Sequence, residues 1–229
     1  MSWDEAIAMG TLTLRVGGVA IALALGPALA LGLWLARHEF RGKALVEAVI
    51  ALPMLLPPVA VGLGLLLLFG RRSPLFPLLH ALGIELPFTW WAAALAAALV
   101  GFPFLVRACE QAFAEVDPRF EHMARSLGYT RGSTFIRVTL PLARRGVLYG
   151  AVLAFTRGLG EFGATAVVAG IQPGRTETLA LGIWSRIEQG DDSGALVLCA
   201  ASFLLALAAT TLAEGWLRRA PGTEGNART

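Results

Sequence analysis

Residues Glu121–Pro141 read EHMARSLGYTRGSTFIRVTLP, and apolar regions of the chain lie on both sides of them. The stretch carries three arginines, a histidine and a glutamate, with Gly128 near its centre and a Leu-Pro pair at its end. A chain this apolar has little reason to keep one long basic segment unless another protein binds it. We therefore expect the segment to be a docking site for a partner.

The rest of the sequence predicts an all-α integral membrane protein. Of its 229 residues, 56% are apolar and only 15% are charged, whereas soluble domains carry about 25% charged residues. Lipid offers no partners to free backbone groups, so helices are the expected form. The net charge of +3 comes almost wholly from arginine, since Lys43 is the only lysine. In a membrane chain this basic balance indicates topology and not nucleic-acid binding.

Five stretches are long enough to cross a bilayer, which takes about 20 apolar residues. We assign residues 1–217 to a single transmembrane domain and 218–229 to a disordered cytoplasmic tail. The three scattered histidines and two separated cysteines predict no metal site. The five predicted spans are Gly10–Ala36, Leu45–Gly70, Thr89–Val106, Gly146–Ala169 and Gly194–Leu217.

The distribution of basic residues predicts the orientation of the spans. Thirteen arginines and lysines fall in segments on one side of the predicted spans, and four fall on the other. By the positive-inside rule, the N-terminus lies outside, and the C-terminus and the loop at residues 107–145 lie in the cytoplasm. On the outer side, Leu179, Ile183, Trp184 and Ile187 fall at helical spacing. This outer helix either packs on the bundle or offers a docking surface, or does both.

The cytoplasmic loop is predicted to form two short helices hinged at Gly128. Asp117 and Pro118 are a typical N-cap and first-turn pair, and glycine commonly ends a helix. Pro141 is expected to break the second helix just before the next span. One apolar stripe runs along the first helix at i, i+3, i+4 and i+7, and its members are Phe120, Met123, Ala124 and Leu127.

This loop resembles the signature loop of ATP-binding-cassette importer permeases, in which a glycine is followed ten residues on by Ile-x-Leu-Pro. Here Gly128 is followed at that spacing by VTLP, residues 138–141, with valine in place of isoleucine. Glu121 also lies seven residues before the glycine instead of six. The resemblance implies a coupling helix that docks in a groove of an ATPase subunit. The loop residues it assigns to coupling are Glu121, Ala124, Arg125, Leu127, Gly128, Leu140 and Pro141.

The sequence has no phosphate-binding loop of its own. No G-x-x-x-x-G-K-[ST] pattern occurs, and Lys43 stands in RGKALVE, followed by alanine. We therefore expect a transport subunit that is not an enzyme and holds no cofactor, with ATP and Mg²⁺ bound by a partner ATPase. A membrane enzyme is disfavoured because no span carries a catalytic constellation. A secondary transporter is disfavoured because neither inverted repeats nor an unpaired intramembrane acid is visible.

Five stretches resemble the molybdate importer permeases more closely, and the sulfate/thiosulfate permeases are similar in the Gly-Glu-Phe-Gly region. The resemblance implies a type I ABC importer permease fold and a homodimer seated on two ABC ATPase subunits. It also implies an extracytoplasmic molybdate-binding protein and a multi-pass position in a bacterial or archaeal cell membrane. The expected cargo is molybdate and tungstate, with sulfate or thiosulfate as the alternative. The stretches are Phe40–Gly62, Phe69–Pro74, Val116–Gly128, Arg157–Gly170 and Ile171–Ala195.

Two further features indicate a translocation pathway or gate. Arg157 and Glu161 lie in the middle of the predicted fourth span, where unpaired charges are costly, and their i, i+4 spacing allows an ion pair. Gly163 would let another backbone approach. The pair either fixes helix packing or acts in a pathway or gate.

Prolines in the predicted second span are the other feature. Pro53, Pro57 and Pro58 remove backbone donors and kink the span. The kink either lines a channel that opens and closes or is a fixed bend that serves packing. We expect contacts to the oxyanion within the permease to be weak, with affinity residing in the binding protein.

Overall fold

A computed structural model describes residues 3–219, and within that range the chain consists of helices and connecting turns. A π-helical turn, Phe135–Thr139, joins the short helix Arg131–Thr134 to the helix Leu140–Leu159. The helices are α1 (Trp3–Arg37), α2 (Lys43–Leu55), α3 (Pro58–Phe69), α4 (Phe76–Ala81), α5 (Trp90–Ala114), α6 (Pro118–Ser126), α7 (Arg131–Thr134), α8 (Leu140–Leu159), α9 (Gly163–Val168), α10 (Leu179–Glu188) and α11 (Asp192–Arg219).

Helix α5 lies at the centre of the bundle, packed between α1 and α8. Its buried face is largely alanine, which lets neighbouring backbones come close. A Cβ added at Gly146 of α8 would lie 2.5 Å from the Cβ of Ala112, and Gly150 lies equally close over Ala108. In a bilayer the hydrophobic effect does not drive helices together. Close van der Waals packing between small residues stabilises the contact instead. The core is therefore held by close backbone approach.

Four continuous helical stretches are long and apolar enough to span a membrane, and a fifth crossing is available if α2 and α3 count as one span. Helices α1 and α11 are longer than the predicted first and fifth spans at both ends. Helix α5 continues eight residues beyond the predicted end of the third span, to Ala114. The boundaries were the least accurate part of the prediction.

The predicted fourth span, Gly146–Ala169, was wrong at both ends. The helix begins at Arg131, because the π-helical turn accommodates Pro141 without a break. It stops at Leu159, with Gly160 as its C-cap, and a short helix, α9, follows after the turn.

The predicted proline kink in the second span is a sharp corner. Helices α2 and α3 meet at 104°, and Leu56 and Pro57 between them have extended backbone. Proline disfavours helical geometry in the residue before it, and neither Pro57 nor Pro58 has an N–H to continue the helix. Two consecutive prolines therefore turn the chain where one would only bend it.

The two short helices that follow these interruptions, α3 and α9, pack against each other. A Cβ added at Gly62 would lie 2.5 Å from the carbonyl oxygen of Ala164, and one added at Gly163 would lie 2.9 Å from the Cβ of Pro58. Glycines on both sides of the contact let the broken spans touch backbone to backbone.

At the end of the bundle away from α6, the predicted amphipathic helix is present as α10. Leu179 at its start is buried, whereas Trp184 and Ile187 are about half exposed. The Thr13 hydroxyl of α1 accepts a hydrogen bond from the Leu179 N–H at 2.9 Å. The helix thus packs on the bundle along one side and presents an apolar surface on the other.

The predicted tail falls largely beyond the described range. Residues 218 and 219 belong to α11, and residues 220–229 lie outside the described residues.

The contact between α3 and α9 predicts a clear difference between two glycines of α3. Gly62→Ala should destabilise the protein by about 1–3 kcal/mol, because the new methyl group meets backbone atoms of Ala164 that cannot move aside. Gly64→Ala is the matched control, since nothing lies within 4 Å of its Cβ position. Thermal unfolding in detergent measures both. Equal melting temperatures would show that the close approach does not matter for stability.

Candidate coupling and translocation sites

The predicted coupling loop, residues 107–145, overlaps the end of α5 and the start of α8, so we call only residues 115–141 the coupling segment. The first helix in this segment is α6. Its N-cap is Asp117, whose carboxylate accepts a hydrogen bond from the Arg119 N–H at 2.8 Å, and Pro118 occupies the first turn. The helix ends at Ser126, and Gly128 has a φ of 90°, in the left-handed region that favours glycine. The predicted helix start and the helix end before Gly128 are confirmed, but the helix that follows is not short, because it runs on from Arg131 to Leu159.

The apolar stripe of α6 points mostly away from the protein. Ala124 is buried, but Phe120, Met123 and Leu127 are 52%, 64% and 79% exposed. No described part of the chain covers these three side chains. A contiguous exposed apolar surface of this kind marks an interaction site.

Glu121, on the same helix, is turned into the protein. Its Oε1 atom accepts hydrogen bonds from Arg37 of α1 at 2.7 Å and from the Thr139 hydroxyl at 3.1 Å. Arg37 also donates to the carbonyl oxygen of Val116 at 3.1 Å. We call the contact between Arg37 and Glu121 the latch, because it holds α6 against α1. The hydrogen bond from Thr139 holds α6 against the π-helical turn. Sequence reasoning missed Arg37 and Thr139, which only the fold brings beside Glu121.

The other residues assigned to coupling fall in different environments. Arg125 is exposed, and its Nε–H donates to the Glu121 carbonyl oxygen at 3.2 Å. Leu140 packs partly buried against the core. Pro141 lies inside a continuous helix, so its predicted role as a breaker is wrong. The Leu140 N–H donates to the Phe135 carbonyl five residues back, and this π-type bond keeps the helix intact before the proline.

The coupling segment is therefore continuous with a membrane helix. The stretch from Arg131 to Leu159 runs without a break, and Phe135 within it contacts Phe113 of α5, with ring centroids 5.8 Å apart. Movement of α7 would be carried along α8, because no flexible linker separates them.

Arg157 and Glu161 stand at the far end of that helix. The guanidinium Nη1 atom lies 3.1 Å from Oε2 of Glu161, which confirms the predicted ion pair. The pair spans the helix end, however, and does not lie in the middle of a helix: Arg157 is in the last turn of α8, and Glu161 follows its C-cap. Glu161 follows Gly160, and its Oε1 atom accepts a hydrogen bond from the Ala164 N–H at 2.8 Å. Its carboxylate thus occupies the N-terminus of α9, where negative charge is favoured.

The predicted pathway residues come together only in part. Pro58 touches Gly163 at the contact between α3 and α9, next to Glu161. Arg157 is one-third exposed while Glu161 is buried. Pro57 lies in the exposed corner, and Pro53 lies inside α2, before the corner.

A cavity of about 710 Å³ opens beside α2, α5 and α8 at the end of the bundle that carries α6. Its polar lining residues include Arg107, Gln111 and Tyr149, and most of its other lining residues are apolar. Arg107 is already paired with Glu47 at 3.1 Å and with Glu110 at 3.2 Å. Within the described residues, no group of histidine, cysteine and acidic side chains could hold a metal ion.

A second polar cluster lies at the opposite end of the bundle. Arg186 of α10 pairs with Glu5 of α1 at 3.2 Å. Glu177 is buried beside them, and its desolvation raises the pKa of its carboxyl group, which Arg186 partly offsets. This cluster fastens the start of α1 to α10.

Comparison with known proteins defines the class to which this fold and this segment belong. Residues 28–220 match the family model described as the binding-protein-dependent transport system inner membrane component. The chain belongs to this family, whose members are transport permeases and not enzymes.

Within the family, the chain falls in the molybdate and sulfate group. It is 41% identical to the molybdenum transport system permease protein ModB of Escherichia coli K12 over 91% of each chain. It is also 36% identical to the sulfate transport system permease protein CysT of the same organism, over 82% of this chain and 69% of that one.

Solved structures agree on the fold. The chain matches a bacterial ABC transporter that imports the acidic polysaccharide alginate, with a TM-score of 0.72, 16% identity, and coverage of 96% of this chain and 82% of that one. It matches the inward-facing MetNI methionine transporter with a TM-score of 0.67, 17% identity, and coverage of 97% and 100%. The fold is that of type I ABC importer permeases.

The latch predicts a measurable coupling between two side chains. In a double-mutant cycle of Arg37→Met and Glu121→Gln, we expect an interaction energy of about 1–3 kcal/mol, because both side chains are mostly buried. The free energy of unfolding in mixed micelles is the quantity to measure.

The pair of Lys43 and Glu39 is the control for that cycle. It has the same 2.7 Å separation, but Glu39 is almost fully exposed, so its interaction energy should be clearly smaller than that of the latch. A latch energy no larger than that of the control would contradict a structural tie between α6 and α1.

Proposed function

We propose that this chain is the membrane-spanning subunit of an ATP-binding-cassette importer for molybdate and tungstate. The observation that carries the proposal is its 41% identity to a molybdenum permease over nearly the full length of both proteins. The coupling segment supports the mode of action, because it offers an uncovered apolar helix face next to a continuous membrane helix.

In this proposal the working unit is a homodimer of five-span subunits, with two ABC ATPase subunits and an extracytoplasmic molybdate-binding protein. ATP and Mg²⁺ bind to the ATPases. The excess of arginine on one side of the spans favours an outer N-terminus and a cytoplasmic coupling segment. Phe120, Met123 and Leu127 then enter a groove of the ATPase, while Glu121 holds the helix in place from within.

The proposed mechanism is alternating access. ATP draws the two ATPases together, and the coupling segments follow them. Because α7, the π-helical turn and α8 are continuous, that movement reaches Leu159 and the turn beyond it. The contact between α3 and α9 lies at that turn, so it is the expected place for the pathway to open.

Arg157 is the residue we assign to the pathway. Its side chain is one-third exposed beside the buried Glu161, so it can present positive charge to a passing dianion without standing unpaired in the membrane. Glu161 then keeps two roles, as counter-ion of Arg157 and as acceptor for the start of α9. If Arg157 serves packing alone, its replacement will lower stability without changing transport by the folded protein.

Sulfate or thiosulfate import is the second candidate, and the 36% identity to a sulfate permease favours it. The two candidates require the same fold and the same ATPase partner. They differ only in the oxyanion that is carried.

Uptake of labelled molybdate by cells with and without the gene separates the two candidates. Molybdate import predicts that deletion abolishes uptake, that tungstate competes and that excess sulfate does not. Unchanged molybdate entry with lost sulfate entry would assign the chain to sulfate import. Normal entry of both ions in the deletion strain would overturn both assignments.

Gly128 provides the test of coupling. Gly128→Asp should leave the protein inserted in the membrane but abolish uptake, because a side chain at a φ of 90° is strained and redirects α6. No atom lies within 4 Å of the Cβ position, so the expected defect comes from backbone geometry and charge, not from a clash. The measurements are the membrane level of the protein and the uptake rate.

Gly132→Asp is the matched control. It adds the same charge to the same segment at a helical position that is equally open, and it should preserve transport. Normal uptake by the Gly128 variant would show that this hinge does not couple the two subunits.

A further inference from the structure

A small cavity lies between α1 and the coupling segment, separate from the apolar face of α6. Its volume is about 330 Å³. It is bordered by the last turns of α1, by α6, and by α7 with the π-helical turn. Its polar lining residues are Arg37, His38, Glu121, Arg125, Arg131, Thr134 and Thr139.

The charge of this cavity is positive. Three arginines face it from three different elements, and Glu121 is the only acidic residue in its lining. The latch neutralises one arginine, since Glu121 pairs with Arg37 at 2.7 Å. The charges of Arg125 and Arg131 are not neutralised by an acidic residue of the lining, so this small cavity keeps a net positive charge. Such a concentration of guanidinium groups favours a compact anion.

Two buried polar atoms in the lining lack partners. Among the described residues, neither Nε of Arg37 nor Oγ1 of Thr134 makes a hydrogen bond. Thr134 is only 4% exposed, so bulk water does not compensate readily. Buried polar groups are nearly always paired in folded proteins. Both groups can donate a hydrogen bond, and unpaired donors beside excess positive charge indicate a missing acceptor.

We propose that this cavity binds a tetrahedral oxyanion of the phosphate and sulfate class. Thr134 and Arg131 bind it, together with the Nε–H of Arg37. Guanidinium groups recognise such oxygens with paired, charge-assisted hydrogen bonds. The anion could be a free inorganic ion or the phosphate of a lipid headgroup, because both present the same acceptor oxygens. This site differs from the proposed pathway at Arg157, and it does not depend on which ion the chain transports.

Binding here would act on the latch. The anion and Glu121 share Arg37, so an occupied cavity weakens the tie between α6 and α1. The site is therefore placed to change the position of the coupling segment without touching its apolar face.

Binding of labelled sulfate and phosphate to the full-length chain, purified in a neutral detergent, tests the proposal. Equilibrium dialysis at constant ionic strength, balanced with chloride, separates site binding from general screening. Arg131→Gln and Thr134→Val should each weaken binding about tenfold or more, as expected when one hydrogen bond to an ion is lost. Arg119→Gln is the control: it removes a charge from α6 at a residue outside the cavity lining, and binding should be unchanged.

Neutral and anionic nanodiscs identify the source of the anion. If the ligand is a headgroup, the wild-type chain will melt at a higher temperature in phosphatidylglycerol than in phosphatidylcholine, and Arg131→Gln and Thr134→Val will remove that difference. If the ligand is a free ion, the two variants will lose sulfate or phosphate binding in detergent instead. Oxyanion binding and lipid response that are both insensitive to these variants would overturn the proposal.

Discussion

A helix that is interrupted within a bilayer must satisfy its freed backbone groups inside the protein, because lipid offers them no partners. Within residues 3–219 the chain has two breaks, the corner between α2 and α3, which together are long and apolar enough for one span, and the turn between α8 and α9. It places the short helices that follow them against each other. Glycine on each side makes the contact close, with Gly62 over Ala164 and Gly163 over Pro58. Glu161 completes the arrangement by accepting the Ala164 N–H and pairing with Arg157.

The need to satisfy backbone groups inside the protein also separates two regions of the molecule, the contact between α3 and α9 and the coupling segment. The two breaks bring Arg157, Glu161 and the glycine contact between α3 and α9 together, whereas the long helices α1, α5 and α8 pack closely on small residues. At the other end, the latch from Arg37 to Glu121 fixes the coupling segment by polar contacts. The apolar face of α6 is thereby left uncovered and available to a partner.

Local chemistry allowed much of this to be predicted from the sequence. Apolar length predicted the membrane helices, Asp117 and Pro118 predicted the start of α6, and Gly128 predicted its end. Spacing also predicted the ion pair of Arg157 and Glu161. The prediction that Pro141 breaks the helix was wrong, because the π-helical turn that absorbs it depends on packing and not on composition. The end of α8 at Leu159 was missed for a similar reason, since apolar residues continue through the turn that Glu161 stabilises. The latch could not be predicted, because Arg37 is 84 residues from Glu121 in sequence.

The unbroken stretch from Arg131 to Leu159 has a mechanical consequence. At 1.5 Å per residue its 29 residues form a lever about 43 Å long. If the packing against α5 is the fulcrum, a tilt of about 10° displaces each tip by roughly 4 Å, in opposite directions. In the proposed importer, a shift of about 4 Å at the cytoplasmic tip would reach the glycine contact at the same size and in the opposite direction. The stiffness of this lever would then set how much of the movement of a bound ATPase reaches the proposed pathway.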